Sequence, residues 1–173
     1  MKKRLLIVLF AAAAFCSCSS EEDPNSNKNV RIISETDSLF VVQKGPFHFS
    51  MSIPKDLIAQ SIPMIIYQES TGKLVISVGD KFFIEGSQEI KEIEKIKSEL
   101  LDDNVLISKV EDITKSTLLY SQSLPHGKVF SWHYKAMKRE MEMPYFFESS
   151  ETHQFTLEDV RLMQKAIDSI SPL

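Results

Sequence analysis

Between residues 47 and 53 the chain alternates: Phe47, Phe49, Met51 and Ile53 are apolar, while His48, Ser50 and Ser52 are polar. A period of two sends successive side chains to opposite faces, so this segment predicts a strand with its four apolar groups buried on one side. Short β-prone runs precede it at 30–34 and 39–43. Pro54-Lys55-Asp56 ends it, with Asp56 placed to cap a short helical turn through Ala59. Apolar runs at 64–67 and 74–78 flank Ser70-Thr71-Gly72-Lys73, which predicts a hairpin, and 82–84 adds a further short strand.

The period then changes. Ile90, Ile93, Ile96 and Leu100 recur at helical spacing after Gly86-Ser87, with Ser87 as the expected cap and Lys91, Glu92, Glu94, Lys95 and Glu99 on the opposite, solvated face. Four more strands follow at 105–110, 116–122, 128–137 and 143–149, with turns at Pro125-His126-Gly127 and at 138–142. In the third of them Phe130, Trp132, Tyr134 and Ala136 share one face, and Ser131, His133 and Lys135 share the other. The chain closes with a helix over 157–170. Thr156 and Asp159 form a capping-box-like start, and Val160, Met163, Ile167 and Ile170 form its apolar stripe. Strands, helix, strands, helix, with tight turns between many neighbouring strands, predict an α+β domain. Its expected form is a mostly antiparallel β-sheet flanked by two main helices, an α/β/α sandwich.

The N-terminal pattern is of another kind. Lys2, Lys3 and Arg4 precede an apolar run from Leu5 to Phe15, the layout of a secretory signal and too short to span a bilayer as a stable helix. Cys18 follows small Ser17 at the end of that run, with Phe15 three places upstream. This resembles the lipobox of a bacterial lipoprotein, in which the thiol is acylated and becomes residue one after cleavage. Cys16, directly after bulky Phe15, is the less suitable acceptor and leaves with the signal. A disulfide between two cysteines this close would staple nothing. The acidic Ser19-Ser20-Glu21-Glu22-Asp23 resembles the export signal of surface-exposed lipoproteins in Bacteroidetes, and equally reads as the start of a solvated tether. The expected organisation is therefore a signal peptide at 1–17, a lipidated tether at 18–29 and one domain at 30–173. The protein is expected in the cell envelope, lipid-anchored to the outer membrane on its surface or periplasmic face.

Charge narrows the partners. The whole chain carries a net −4, and loss of Lys2, Lys3 and Arg4 makes the remainder three units more negative. Nucleic-acid binders gather cations on one face, so nucleic acid is not an expected partner, and anionic head groups would add little to the lipid. Five dispersed glycines build neither a P-loop nor a dinucleotide fingerprint, and no cofactor is expected.

The segments Phe47-His48-Phe49-Ser50-Met51-Ser52-Ile53-Pro54, Tyr145-Phe146-Phe147-Glu148-Ser149-Ser150, Phe155-Thr156-Leu157-Glu158-Asp159 and Ala166-Ile167-Asp168-Ser169-Ile170 set the opening strand, an aromatic strand, a polar turn and a final helix. In this order they resemble the Mog1/PsbP-like fold over residues 39–171, in particular its small bacterial lipoprotein and secretion-chaperone members. That resemblance implies protein binding or scaffolding, with no site residue to carry over. The cytosolic chaperones of that family are not exported, so their client role does not transfer directly.

Candidate chemistry is sparse. His48, His126, His133 and His153 form no H-x-x-x-H or H-x-H pair, and no metal site is expected. There is no G-x-S-x-G elbow, and Glu21-Glu22 and Asp102-Asp103 read as solvated charge or helix ends, so no catalytic residue is assigned. The row Phe130, Trp132, Tyr134, with His133 and Lys135 on the reverse face, is the candidate partner-binding surface; its alternative is core beneath the last helix. Met141 and Met143 beside the charges of 138–142 form a second candidate contact loop, or a plain solvated hairpin. The reading is a non-catalytic protein-binding or scaffolding module. One alternative is an immunity protein whose acidic surface captures a basic toxin. Another is an unrecognised hydrolase, recognisable by His133 or His153 beside a serine and a buried carboxylate.

Location and folding separate by one substitution. Cys18→Ala yields a folded protein that fractionates away from membranes; retention of the variant in the membrane pellet would transfer the anchor to Cys16.

Overall fold

The computed structural model of the protein describes residues 30–32, 37–103, 106–125, 127–139, 141 and 143–173. The expectations for residues 1–29, Cys18 among them, and for His126 lie outside these residues. Strand β1 (Val30–Ile32) pairs with β2 (Asp37–Lys44), which turns at Gly45 onto β3 (Phe47–Pro54). The alternation in β3 is realised as expected: Phe47, Phe49, Met51 and Ile53 are all buried and His48 is exposed. Burial of side chains this size contributes about 1.5–3 kcal/mol each, which is why the pattern dictates which way the strand faces. Helix α1 (Lys55–Gln60) follows, with Pro54 at its N-cap position and Asp56 in its first turn, so Asp56 is not the cap.

Strands β4 (Pro63–Gln68), β5 (Lys73–Val78) and β6 (Phe82–Ser87) form an antiparallel meander, with the expected hairpin between the first two. Gly86 and Ser87 belong to β6, opposite Phe147 and Phe146, so Ser87 opens no helix. A Cβ on Gly86 would stand 2.9 Å from the Phe147 ring, so the glycine serves close strand packing. Helix α2 (Ile93–Leu101) starts later, from Glu92 and without a side-chain cap; Ile90 is exposed, and Ile93 is the buried anchor.

A second meander comprises β7 (Ile107–Ile113), β8 (Thr117–Ser123), β9 (Val129–Lys138) and β10 (Tyr145–Ser149). Helix α3 (Leu157–Asp168) carries the predicted capping box: Thr156 Oγ1 accepts from the Asp159 N–H, and Asp159 accepts from the Thr156 N–H. The helix stops before Ile170 because the chain is tied back at Ser169. The Ser52 N–H donates to Ser169 Oγ at 2.7 Å, and Ser169 Oγ donates to the Ala166 carbonyl. The chain then forms the short strand β11 (Ser171–Pro172) against β3.

The strands divide between two sheets, where the sequence alone suggested one. β1-β2-β3-β11 make the smaller, and β4-β5-β6-β10-β9-β8-β7 the larger, with antiparallel pairs throughout. The result is a mixed α+β structure dominated by antiparallel sheet. One face of the large sheet packs on both the small sheet and α3, through Leu74, Ile76, Ile84, Tyr134 and Phe147 against Phe47, Phe49, Val160 and Met163. The other packs on α2, where Ile93 meets Leu118, Tyr120, Met137 and Phe146.

The β2–β3 turn fixes how the small sheet rests on the large one. Gly45 has φ +55°, and a Cβ there would stand 2.6 Å from the Tyr67 ring on β4. Gly72 has a similar φ of +67° with open space around it. Chemical denaturation should therefore give Gly72→Ala a loss of about 1 kcal/mol from the left-handed backbone. Gly45→Ala should lose about 1–3 kcal/mol beyond that, from overpacking.

Candidate functional site

β9 is the strand from which the expected surface was drawn, and its two faces meet two different environments. Toward α3, Trp132 is half-buried while Tyr134 and Ala136 are in the core. The Tyr134 hydroxyl donates to Asp168 Oδ1 at 3.2 Å, joining the sheet to the end of α3. Burial pushes the Tyr134 phenol up, and the neighbouring Asp168 carboxylate adds to this. Tyr134 is thus part of the core under the last helix and is closed to a partner. At the other end of the row, Phe130 is 38 % exposed.

Toward α2, β9 carries Ser131, His133, Lys135 and Met137, all buried. Lys135 lies directly opposite Glu148 on β10, and its Nζ donates at 2.7 Å both to Glu148 Oε2 and to Glu151 Oε1. Burial opposes the Lys135 charge, but the Glu148 and Glu151 carboxylates outweigh it and hold its pKa above the ordinary value. The same hydrogen bond holds the Glu151 carboxyl below its ordinary range, against the effect of burial. An ammonium pinned between two carboxylates is a structural tie and has no free lone pair for nucleophilic attack.

His133 lies opposite Tyr120 on β8, and their rings stack at 5.2 Å. Only 1 % of His133 is exposed, and burial lowers its pKa to about 4, with Lys135 adding to the fall and Glu151 opposing it. Its Nδ1 and the Tyr120 hydroxyl have no hydrogen-bond partner among the described residues. Burial raises the Tyr120 phenol, so both groups are neutral at pH 7. Beside this cluster, α2 and the sheet enclose a cleft of about 320 Å³ whose walls include Lys91, Glu99, Lys135 and Phe146. Lys91 Nζ stands 4.4 Å from the centre of the Phe146 ring.

The other histidines are placed apart. His48 is exposed, with Nε2 3.2 Å from the Gly45 carbonyl. His153 stacks on Phe83 at 4.5 Å, and its Nδ1 is 3.1 Å from Ser150 Oγ and 3.2 Å from Thr152 Oγ1. A serine does therefore meet a histidine, as the hydrolase alternative asks. Yet Ser150 is buried, its oxygen already accepts from the Thr152 N–H, and hydroxyls occupy the ring nitrogen where an orienting carboxylate would bind. Among the described residues no group of three or more His, Cys, Asp or Glu side chains is placed to hold a metal ion. Nor is any helix among these residues long and apolar enough to cross a membrane.

Two exposed apolar regions border clefts. Leu124 and Val129, 56 % and 49 % exposed, join Phe130 at the end of the β8–β9 hairpin. Leu124 and Phe130 border a cleft of about 340 Å³ with Lys128 and Gln154. The methionine loop forms another opening: exposed Met143 and half-buried Met141 line a cleft of about 610 Å³ with His48 and Leu173. Lys138, counted among the charges of that loop, is the last residue of β9 and donates to the Asp168 carbonyl at 3.3 Å. The residue pattern showed neither the Lys135–Glu148 pair nor the His133–Tyr120 stack. Opposite charges at 135 and 148 become a visible signal only once the β9–β10 register is known. Comparison with protein-family models, with curated proteins and with solved structures finds no match to this chain.

A buried histidine whose pKa falls on folding stabilises the protein above its unfolded value of about 6.5, and that stability is lost as the pH drops toward 4. Urea denaturation should show a loss on the order of 2 kcal/mol between pH 7 and pH 5 attributable to His133. His133→Phe keeps a ring against Tyr120 and should lack that increment. An unchanged pH profile in the variant would show that His133 does not titrate in this way.

Proposed function

We propose that this protein is an envelope-anchored lipoprotein whose α+β domain binds another protein and performs no catalysis of its own. The observation that carries the reading is the exposed apolar hairpin end of Leu124, Val129 and Phe130 around an open cleft. Aromatic and aliphatic groups at an accessible rim, with half-buried Trp132 behind them, suit a protein contact in which a few large side chains supply most of the affinity. The titratable groups support the same reading. Lys135, although it lines the α2 cleft, is held as an ammonium between two carboxylates, and His133 is sealed from solvent. The Mog1/PsbP-like resemblance points the same way, toward scaffolding or chaperoning of an envelope protein. The Cys18 lipobox would hold the domain at the outer membrane, with residues 18–29 as the tether.

The test is a crosslinking capture of the tagged lipoprotein from native envelopes, read by mass spectrometry. One dominant stoichiometric protein is expected, and Phe130→Ser should reduce its recovery at least tenfold while leaving the thermal transition within a few degrees. The captured protein's identity separates a scaffold from an immunity role. Recovery of no specific protein, or equal recovery with Phe130→Ser, would overturn the assignment of this surface.

A further inference from the structure

The large sheet ends at β4, and this end is unlike the rest of the molecule. Along β4, Ile65 and Tyr67 turn inward and pack against the main core. Met64 and Ile66 turn the other way, 48 % and 41 % exposed, and Ile62 just before the strand is 63 % exposed. From Ser61 to Gln68 the chain carries no charged residue. Natural edge strands are usually guarded by lysines, bulges or covering elements, because the outer backbone N–H and C=O groups of an edge can pair with another strand. Among the described residues β4 itself carries one such device, Pro63 at its start, and β2 of the small sheet lies near it. Helix α2, which covers the same face of the sheet, makes its main contacts with β7, β8 and β9, at the other end of the strand order.

We propose that β4 is the seam of a homodimer, with two copies pairing this strand antiparallel about a two-fold axis at Met64. A second copy is favoured because the row is its own complement in that register. Met64 faces Met64, Ile62 faces Ile66 and Ile66 faces Ile62, so all three exposed side chains are covered by one another. On the inner face Pro63 meets Ile65, extending the core side of the sheet. No charge in 61–68 is left facing a like charge or an apolar group, a condition that a charged foreign strand would break. Such an interface is isologous and closes on itself, so it ends at two copies and does not propagate. It leaves the β8–β9 hairpin end free, since that lies across the sheet on the far side of β10.

The test uses the full-length lipoprotein in its own membrane. Met64→Cys places a thiol on the axis at an exposed position, and mild oxidation should give a disulfide-linked dimer well above the background of the parent chain. Adding Ile66→Lys should cut the dimer yield at least tenfold, because two cations would then face the partner's Ile62. Far-ultraviolet circular dichroism checks that the lysine variant is folded; if it is not, Ile62→Lys, outside the strand, replaces it. No dimer above the parent background overturns the proposal, as does a dimer indifferent to the lysine. Crosslinking of Met64→Cys to a different protein would also overturn it, and would give the edge to a foreign strand.

Discussion

The large sheet is covered on both faces, but not along its whole width, and most of the molecule's other properties follow from that. Over β8, β9 and β10 the sheet is enclosed by α3 and the small sheet on one side and by α2 on the other. A strand in such a place has no solvent face, so its polar side chains cannot simply be turned outward. They must be paired, neutralised or left unsatisfied. Lys135 is paired, His133 is neutral, and Tyr120 Oη and His133 Nδ1 lack partners among the described residues. α2 makes its main contacts at β7, β8 and β9, and at the far end of the sheet Met64 and Ile66 on β4 face outward half-exposed.

The Lys135 tie illustrates how such a pair acts. Bringing an ammonium into the interior costs several kcal/mol, and two carboxylates at hydrogen-bond distance offset much of that cost. Glu148 has the larger effect on register. A slip of β9 against β10 by one residue would move Lys135 to the opposite face, into the apolar contact with α3, with no carboxylate opposite. Glu151 is more exposed, and its share of the attraction is correspondingly screened. The pair therefore acts chiefly on the choice of register, and the apolar groups around it supply the net stability.

Much of the element order was legible because it rests on local periodicity. The alternation of β3, the β4–β5 hairpin, the alternation of β9 and the capped start of α3 are all short-range signals, and each appears where the pattern put it. The start of α2 was not legible, because Gly86-Ser87 mimics a helix opening while its real constraint, the Phe147 ring, comes from a strand sixty residues away. The split into two sheets was equally hidden. β3 pairs with β2 and, at the far end of the chain, with β11, and nothing in the sequence around β3 announces that partner. The candidate surface was half legible. Alternation put Phe130, Trp132 and Tyr134 on one face, but Phe130 falls at a break in the β8–β9 register, between Val129 opposite Ser123 and Ser131 opposite Gln122, and only the packing of α3 decides that Tyr134 is closed.

The same limit explains why the β4 edge escapes the pattern. Ile62 to Tyr67 is apolar almost without interruption, the signature of a strand buried on both faces. In this chain one of those faces is half-exposed at Met64 and Ile66, and α2 makes its main contacts at the other end of the sheet. A sequence written for two-sided burial and a fold that supplies one side leave the other for a second surface to complete. Stability and recognition can then be separated along one sheet. Its centre is closed by the chain's own helices, and its two open apolar regions, the β4 edge and the hairpin end, lie apart from the charged pair that sets the strand register. On the contacts proposed above, substitution at Met64 or Phe130 would alter what the domain touches without disturbing the groups that decide how it folds.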